Sequence, residues 1–154
     1  MKVREIMTRH VVTVTEDTPL LEVASLLSER RISAVPVCEE GGALVGVVSE
    51  FDLLAREGKT AKDVMSPGVI SVSEDTDVEE ARFLLVERKI RRLPVLSGQK
   101  LVGIVSRSDI VRELTLHWIC EACGEMTRAK LPPDRCWKCG TADRFRHERQ
   151  HPGM

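Results

Sequence analysis

The sequence predicts an α/β protein made of two similar halves and a small metal-binding segment. Residues 1–57 recur as residues 58–114, each copy alternates β-branched runs with amphipathic stretches, and four cysteines follow residue 115 in two C-x2-C pairs. A repeat of this length indicates two copies of one supersecondary unit that bury their apolar faces on each other. We predict one domain in each copy, a metal ribbon over 115–146 and a disordered tail over 147–154.

Composition limits the classes of function that the chain can have. It has 154 residues with 23 basic and 24 acidic side chains, for a formal net charge of −1. Polyanion binding by the whole chain needs a clear excess of Lys and Arg, so that class is excluded. No apolar run approaches the roughly 18 residues of a membrane span. The charged start, Met1–Glu5, does not resemble a secretory signal, so we expect a cytoplasmic protein.

The repeat is clearest when the sequence is shifted by 58 residues. Ala34–Val37 then meets Arg92–Val95 and, after one deletion in a loop, Leu44–Ser49 meets Leu101–Ser106. Each copy reads strand, helix, strand, strand, helix. The order β-α-β-β-α is therefore predicted twice.

Start signals and apolar stripes predict the first helix of each copy. Thr18 before Pro19 is typical of an N-cap followed by the first helical residue. Thr76–Glu79 has the spacing of a capping box in the second copy. The residues predicted to face inward are Leu20, Val23, Ala24 and Leu27 in the first copy and Val78, Ala81 and Leu85 in the second.

Short apolar runs predict the strands. Val11–Val14 and Val69–Val72 are β-branched runs that end in acidic turns. Leu44–Val48 and Leu101–Val105 are almost entirely apolar, so we predict strands that are buried on both faces.

The segments Gly46–Asp52 and Gly103–Asp109 both read Gly-x-x-Ser-x-x-Asp. Ser and Asp at this spacing form a capping box before a helix, and capping alone explains them. The same groups also suit a nucleotide, since a helix N-terminus can hold phosphate and a carboxylate can bind a ribose diol. Glycine would let the ligand approach the strand. The two interpretations are compatible.

Together these repeated motifs resemble the CBS domain. The pattern is Met-Thr/Ser, a β-run, Asp-Thr, a helix, Val/Leu-Pro-Val and Leu-Val-Gly-Val/Ile-Val-Ser-x-x-Asp, and each motif occurs twice in order over residues 1–114. Two such domains in tandem look like a Bateman module. The resemblance implies a pseudo-twofold pair with two clefts, which in this family bind adenosine-containing ligands and regulate a partner or an attached domain.

The resemblance also implies which residues form the clefts. Each cleft would combine the Asp motif of one repeat with the early strand and pre-proline segment of the other. Ile32 and Ile90 would flank adenine, while Asp52 and Asp109 would hold ribose hydroxyls. One cleft is implied to contain Val12, Thr13, Ile32, Ser33, Ala34, Ser106, Ser108 and Asp109, and the other Ser49, Asp52, Ile70, Ile90, Arg91 and Arg92.

Arg91 and Arg92 distinguish the two repeats, because the first repeat has Ser33 and Ala34 at these positions. They either belong to a solvated basic stretch or favour a phosphorylated ligand through charge-assisted hydrogen bonds. The expected ligands are AMP, ADP, ATP or S-adenosylmethionine.

The four late cysteines predict a metal site. Cys120 and Cys123, then Cys136 and Cys139, form two C-x2-C-G knuckles. Together they supply the tetrahedral four-sulfur shell that Zn²⁺ accepts. A disulfide pair or a redox C-x2-C motif does not explain two copies, each followed by glycine. The segment resembles zinc ribbons and also the rubredoxin-type ribbon, so zinc is favoured and iron is the alternative.

These features lead to three hypotheses about function. The first is a non-enzymatic sensor of adenine nucleotides that uses the ribbon as its output or interaction element. The second is a rubredoxin-like iron redox protein regulated by the CBS pair, and the third is a nucleic-acid-binding regulator. We also expect a homodimer through the CBS helices and a protein partner at the ribbon.

Overall fold

Three small sheets and five helices build the protein, which a computed structural model describes over residues 1–148. The helices are α1 (Leu20–Arg30), α2 (Glu50–Ala55), α3 (Ala61–Val64), α4 (Val78–Glu87) and α5 (Arg107–Glu113). The strands are β1 (Ala34–Cys38), β2 (Leu44–Ser49), β3 (Val72–Ser73), β4 (Arg92–Ser97), β5 (Lys100–Ser106), β6 (His117–Cys120), β7 (Met126–Arg128) and β8 (Phe145–Glu148).

The two halves repeat the same hairpin. β1 pairs with β2 and β4 pairs with β5, both antiparallel, and each pair has a bulge at the equivalent place, after Val37 and after Val95. The predicted α/β fold with two repeats is confirmed. The first predicted strand of each copy is shorter than expected. β3 covers only Val72–Ser73. In the first copy, the equivalent of β3 is a single parallel bridge between Val14 and Val37, and the residues just before Val14 line surface cavities.

Each half completes its core with the segment that precedes the other half. Val3 and Met7 are buried in the core of residues 72–110, whereas Ala61 and Val64 are buried in the core of residues 14–48. The segment that precedes each repeat, here called its leading segment, therefore packs in the core of the other repeat.

Each exchanged segment crosses close against one edge strand of the other half, β5 or β2, and forms an antiparallel bridge with it. Thr8 exchanges backbone hydrogen bonds of 2.8 and 2.9 Å with Ile104 of β5, and Ser66 does so with Val47 of β2. A Cβ atom on Gly103 would lie 2.6 Å from Sδ of Met7 and 2.9 Å from the Thr8 carbonyl oxygen. A Cβ atom on Gly46 would meet the Met65 side chain in the same way. The glycines make room for this crossing, and the prediction that they admit a ligand is wrong.

Two of the predicted helix starts are shifted. The N-cap of α1 is Pro19, because the hydroxyl of Thr18 instead accepts a hydrogen bond from the backbone of Thr15. The N-cap of α4 is Asp77, and the Thr76–Glu79 capping box does not form.

The predicted inward faces of these helices are confirmed with one exception. Val23 and Leu27 of α1 are buried, as are all three predicted residues of α4, while Leu20 is half-buried against the core. Ala24 is exposed and Leu26 packs on the core instead. The prediction that β2 and β5 are buried on both faces is wrong: they bury only alternate residues, because positions such as Val47 and Ile104 line the clefts described below.

The C-terminal segment forms its own sheet in the order β7-β6-β8. Trp118 donates a hydrogen bond of 2.9 Å from Nε1 to the Ala129 carbonyl and packs edge-on against His147. The predicted disordered tail over 147–154 is wrong for residues 147 and 148, because they pair with β6 as part of β8. The rest of that tail lies outside the described residues.

Replacing Gly103 with alanine tests the crossing. Because the new methyl group meets Met7 and the Thr8 carbonyl, we expect Gly103→Ala to lower the free energy of unfolding by about 1–3 kcal/mol. Gly41→Ala is the matched control, since no atom lies within 4 Å of its Cβ position. Chemical denaturation measures both, and equal stability of the two variants would contradict the crossing.

Candidate ligand clefts and metal centre

The larger of two clefts between the repeats has a volume of about 570 Å³. Five residues predicted for one site line it: Ser49, Ile70, Ile90, Arg91 and Arg92. Ser33, which was predicted for the other site, lines this cleft, whereas the preceding Ile32 lines the smaller one, because consecutive residues of an extended segment face opposite ways.

Asp52 lies beside the larger cleft and is 4% exposed. Its Oδ2 atom accepts hydrogen bonds of 2.9 Å from the backbone and the hydroxyl of Ser49, which confirms the capping box. Its Oδ1 atom lies outside the box, 3.4 Å from the Ser66 hydroxyl and 3.8 Å from Nε of Arg56. Ser66 was missed at the sequence level, although its repeat equivalent Thr8 is also a hydroxyl residue.

The smaller cleft has a volume of about 200 Å³ and lies on the other side of β1. It contains five of its predicted residues, Val12, Ile32, Ala34, Ser106 and Asp109, together with His10 and Thr8, which the sequence did not single out.

Two further residues predicted for the smaller cleft lie outside it. Thr13 is exposed and lines surface grooves away from Asp109, because it faces the opposite side from Val12. Ser108 is exposed on the first turn of α5, where its hydroxyl lies 2.8 Å from that of Ser106.

Asp109 repeats the geometry of Asp52. It is 7% exposed, and its Oδ2 atom accepts hydrogen bonds of 2.8 Å from the backbone and the hydroxyl of Ser106. Its Oδ1 atom lies 3.6 Å from Arg112. Asp109 thus lines the smaller cleft, whereas the predicted site residue Asp52 does not line the larger cleft and lies behind Ser49 and Ser66, which do. In both carboxylates one oxygen atom is held by a cap and the other lies outside it.

The helix starts beside the clefts offer few free donors. The Glu50 N–H donates to the Ser33 carbonyl and the Arg107 N–H donates to the Arg91 carbonyl, at 2.9 and 3.2 Å. The N–H of each capping Asp donates to its own Ser hydroxyl. The predicted phosphate site at these helix ends is therefore not supported, and the cations of the larger cleft are the guanidinium groups of Arg91 and Arg92.

A shared wall separates the two clefts. Ala34, Pro36, Arg92 and Ile104 line both of them. Arg92 donates a hydrogen bond of 2.9 Å from one terminal nitrogen to the Ser33 hydroxyl, which joins the two repeats across this wall.

The four late cysteines form one cluster. The Sγ atoms of Cys120, Cys123, Cys136 and Cys139 all lie within 4.8 Å of one another. The distances from Cys120 to Cys139 and from Cys123 to Cys136 are both 3.7 Å. A tetrahedral ion with metal–sulfur bonds of about 2.3 Å separates its sulfur atoms by about 3.8 Å. The donor set and its spacing therefore fit a four-coordinate metal.

Both knuckles have the same backbone. Gly124 N–H donates to the Cys120 carbonyl at 2.8 Å and Gly140 N–H donates to the Cys136 carbonyl at 2.9 Å. Both glycines have φ of +75°, a conformation that side chains disfavour. The glycine after each cysteine pair is thus required by the turn, as the sequence suggested.

The pKa values of Cys139 and Cys123 are shifted in opposite directions. Hydrogen bonds with the side chain and backbone of Thr141 lower the pKa of Cys139 to about 6. The backbone N–H of Glu125 lowers the pKa of Cys123, but desolvation and the neighbouring cysteines outweigh it and raise this pKa to about 12. Cys139 therefore supplies thiolate, the form that binds metals, at neutral pH.

The repeated half of the chain matches a known family. The family model described as the CBS domain matches residues 3–58 and residues 61–116. The chain belongs to the CBS-domain family. It carries the domain twice, as a CBS pair, and the cysteine cluster lies outside the matched residues.

Relatives and solved structures agree with this assignment. The chain is 36% identical over 149 residues to the chloroplastic CBS domain-containing protein CBSX1 of Arabidopsis thaliana, and the match covers 71% of the chain and 62% of CBSX1. The crystal structure of CBSX2 in complex with AMP aligns with a TM-score of 0.69 and 36% identity over 72% of this chain and 93% of that one. The CBS pair of MJ0100, in complex with 5′-methylthioadenosine and S-adenosyl-L-methionine, aligns with a TM-score of 0.65 and 29% identity over 73% and 94%.

The cytoplasmic location stays a prediction, because the relative CBSX1 is described as chloroplastic. Over residues 1–148, no helix combines the length and the apolar character of a membrane span.

An ion pair between an exposed arginine and a buried glutamate joins the ribbon to the second CBS repeat. Nε of Arg128 on β7 lies 2.6 Å from Oε1 of Glu113, which ends α5 and is 1% exposed. Arg128 also lies 3.8 Å from Glu79 on α4. The helix α5 therefore has Asp109 of the smaller cleft near its start and the ribbon contact at its end.

Removing Arg128 should leave the Glu113 carboxylate buried without its cation. We expect Arg128→Ala to lower the free energy of unfolding by about 2 kcal/mol, less than for a fully buried pair because Arg128 is partly exposed. The control is Arg82→Ala, which breaks an exposed ion pair with Glu79 and should cost about 0.5 kcal/mol or less. Chemical denaturation of both variants provides the comparison, and equal losses would contradict the buried contact.

Proposed function

We propose that this protein is a non-enzymatic regulatory CBS pair that binds an adenosyl ligand and uses a metal-bound ribbon as its output. The expected ligands are AMP, ADP, ATP or S-adenosylmethionine. In this proposal the functional units are residues 1–57, 58–114 and 115–148. The match covers 62% of CBSX1, so the proposal does not include the activity of the whole of CBSX1.

The observation that carries the proposal is the repeated carboxylate geometry. Asp52 and Asp109 are each oriented by a capping box through Oδ2, while Oδ1 lies outside the box, 3.4 Å from the Ser66 hydroxyl in Asp52 and 3.6 Å from Arg112 in Asp109. A carboxylate that is fixed in this way can accept hydrogen bonds from the two hydroxyls of a ribose without reorganising. Ile90 in one cleft and Ile32 in the other supply apolar surface for a purine. The structure of CBSX2 with AMP supports this choice of ligand.

Thermal unfolding with each of the four ligands tests the proposal. A ligand at about 100 times its Kd adds roughly 2.7 kcal/mol to stability, so Tm should rise. Asp52→Asn and Asp109→Asn should each weaken binding at one cleft, because an amide accepts from a ribose diol less strongly than a carboxylate does.

The control for these variants is Asp63→Asn. Asp63 accepts backbone hydrogen bonds before α3 in the same way, but it lines neither cleft. Its substitution should leave the ligand-induced shift intact. If none of the four ligands moves Tm, the sensor proposal fails.

The metal in this proposal is a structural Zn²⁺ held by Cys120, Cys123, Cys136 and Cys139. Four thiolates fill a tetrahedral shell, so no coordination position remains for substrate and the ion serves the fold. Two cysteines of the cluster are buried and few large apolar residues surround them. Metal binding can contribute on the order of 10–16 kcal/mol to folding in small four-ligand sites, which such a short segment needs.

Metal analysis of the purified, reduced protein should find one ion per chain. Cys136→Ser should lose that ion and loosen the ribbon while the CBS pair stays folded. Cys38→Ala is the control, because Cys38 is a buried cysteine outside the cluster and should not affect metal content. Iron, revealed by visible absorption of the ferric tetrathiolate, would support the rubredoxin-like alternative. A ribbon that is ordered without any metal would overturn the metal proposal.

The ribbon is proposed as the output because of its connection to α5. This helix starts beside Ser106 and Asp109 and ends at Glu113, one residue of the ion pair with Arg128. A shift of α5 on ligand binding would therefore move a charge that is buried against the ribbon. A protein partner that binds the ribbon would respond to that change.

We further propose a homodimer through the CBS helices. Apolar side chains are exposed on helices of both repeats: Leu21, Leu54, Phe83, Val86 and Val111. A second copy offers the same apolar residues, which suits a twofold interface.

Sedimentation equilibrium at tens of micromolar should find the dimer. Leu54→Lys combined with Phe83→Glu should convert it to a monomer. Leu131→Glu is the control, because Leu131 is equally exposed but belongs to the ribbon segment. A monomeric wild-type chain would contradict the dimer.

A further inference from the structure

We infer that the two clefts select adenosyl ligands of different charge, and that Arg92, anchored by Ser33, makes the division. The larger cleft would take an adenosine phosphate. The smaller cleft would take an adenosine derivative that is neutral or positively charged at its 5′ position. This inference rests on the proposed binding of adenosyl ligands.

Arg92 occupies an unusual position in the pair. It is the first residue of β4 and lines both clefts, whereas its equivalent in the first repeat is Ala34, which carries no charge. One arginine therefore lies in the wall between the two clefts. A guanidinium binds phosphate through paired hydrogen bonds, so the cleft that it faces gains affinity for phosphate.

The hydrogen bond with Ser33 determines which cleft the Arg92 guanidinium group faces. Its hydroxyl accepts a hydrogen bond of 2.9 Å from a terminal nitrogen of Arg92, and Ser33 lines the larger cleft but not the smaller one. The bond joins residues 59 positions apart in the two repeats. It therefore holds the exposed Arg92 side chain toward the larger cleft.

The remaining charges agree with this division. Within residues 1–148, the charged side chains that line the larger cleft are Arg91, Arg92 and Glu50, which gives a net positive site. The lining of the smaller cleft contains Arg92, Asp109 and the titratable His10. Each cleft has one buried aspartate beside an arginine, Asp52 with Arg56 and Asp109 with Arg112, so these pairs do not distinguish the clefts. With Arg92 held away by Ser33, the smaller cleft lacks the excess of guanidinium groups that the larger cleft has. Its volume of about 200 Å³, against about 570 Å³, also leaves less room for one.

Isothermal titration with AMP and with adenosine tests the division, using variants that block one cleft each. Ile70→Trp fills the larger cleft and His10→Trp fills the smaller one, and both positions are exposed. We expect Ile70→Trp to weaken AMP at least tenfold and to leave an adenosine site. We expect His10→Trp to leave AMP binding intact and to remove one adenosine site.

Substitutions in the anchored pair test the cause. Arg92→Ala should weaken AMP roughly tenfold in the larger cleft, the loss of one charge-assisted hydrogen bond, with adenosine affinity unchanged. Ser33→Ala frees the guanidinium and should raise AMP affinity in the smaller cleft of the Ile70→Trp protein. Arg88→Ala, an exposed arginine that lines neither cleft, is the control and should change nothing.

Several outcomes would overturn the inference. AMP that binds both clefts with equal affinity would do so, as would an Arg92→Ala protein that loses AMP and adenosine affinity to the same extent. If AMP binds but the two clefts do not differ in the charge of the ligand that they select, only this inference is contradicted. If neither AMP, adenosine nor S-adenosylmethionine binds at all, the proposed function fails and takes the inference with it.

Discussion

The close passage of each leading segment along an edge strand of the other repeat organises the whole CBS pair. Met7 and Thr8 cross β5 at Gly103, and the equivalent segment crosses β2 at Gly46. The crossing buries the leading residues in the opposite core. It also brings Ser66 to the larger cleft and Thr8 to the smaller one, so the same contact that holds the repeats together builds part of each site.

Within this symmetric frame, function depends on the places where symmetry fails. The capping boxes and the buried carboxylates are the same in both repeats, and in the proposed function they give each repeat the same anchor for a ribose. The residues before the two prolines differ in charge, and the clefts differ in volume by more than a factor of two. The ribbon adds a second asymmetry, because it contacts α4 and α5 of the second repeat through Arg128.

Much of this arrangement follows from spacing in the sequence. The repeat, the two Ser-x-x-Asp capping boxes and the cysteine knuckles depend on local patterns, and the structure contains all of them. The predictions that were wrong depend on orientation or on distant contacts. Thr13 and Ser33 face the opposite way from their neighbours, and a shift of one residue in an extended segment reverses its face. The role of Gly103 could not be read from the sequence, because the atoms that crowd it belong to residues 7 and 8.

The exchange of leading segments also affects how the chain folds during synthesis. The first repeat needs Ala61 and Val64 to complete its core, and the second needs Val3 and Met7, which leave the ribosome before the rest of that core. Val3 and Met7 must therefore wait until nearly the whole pair has been made before they are buried. Domains usually fold one after another as they emerge, but the exchange couples the folding of these two repeats. A nascent chain that ends between the repeats would expose both an unfilled core and the segment meant for the other.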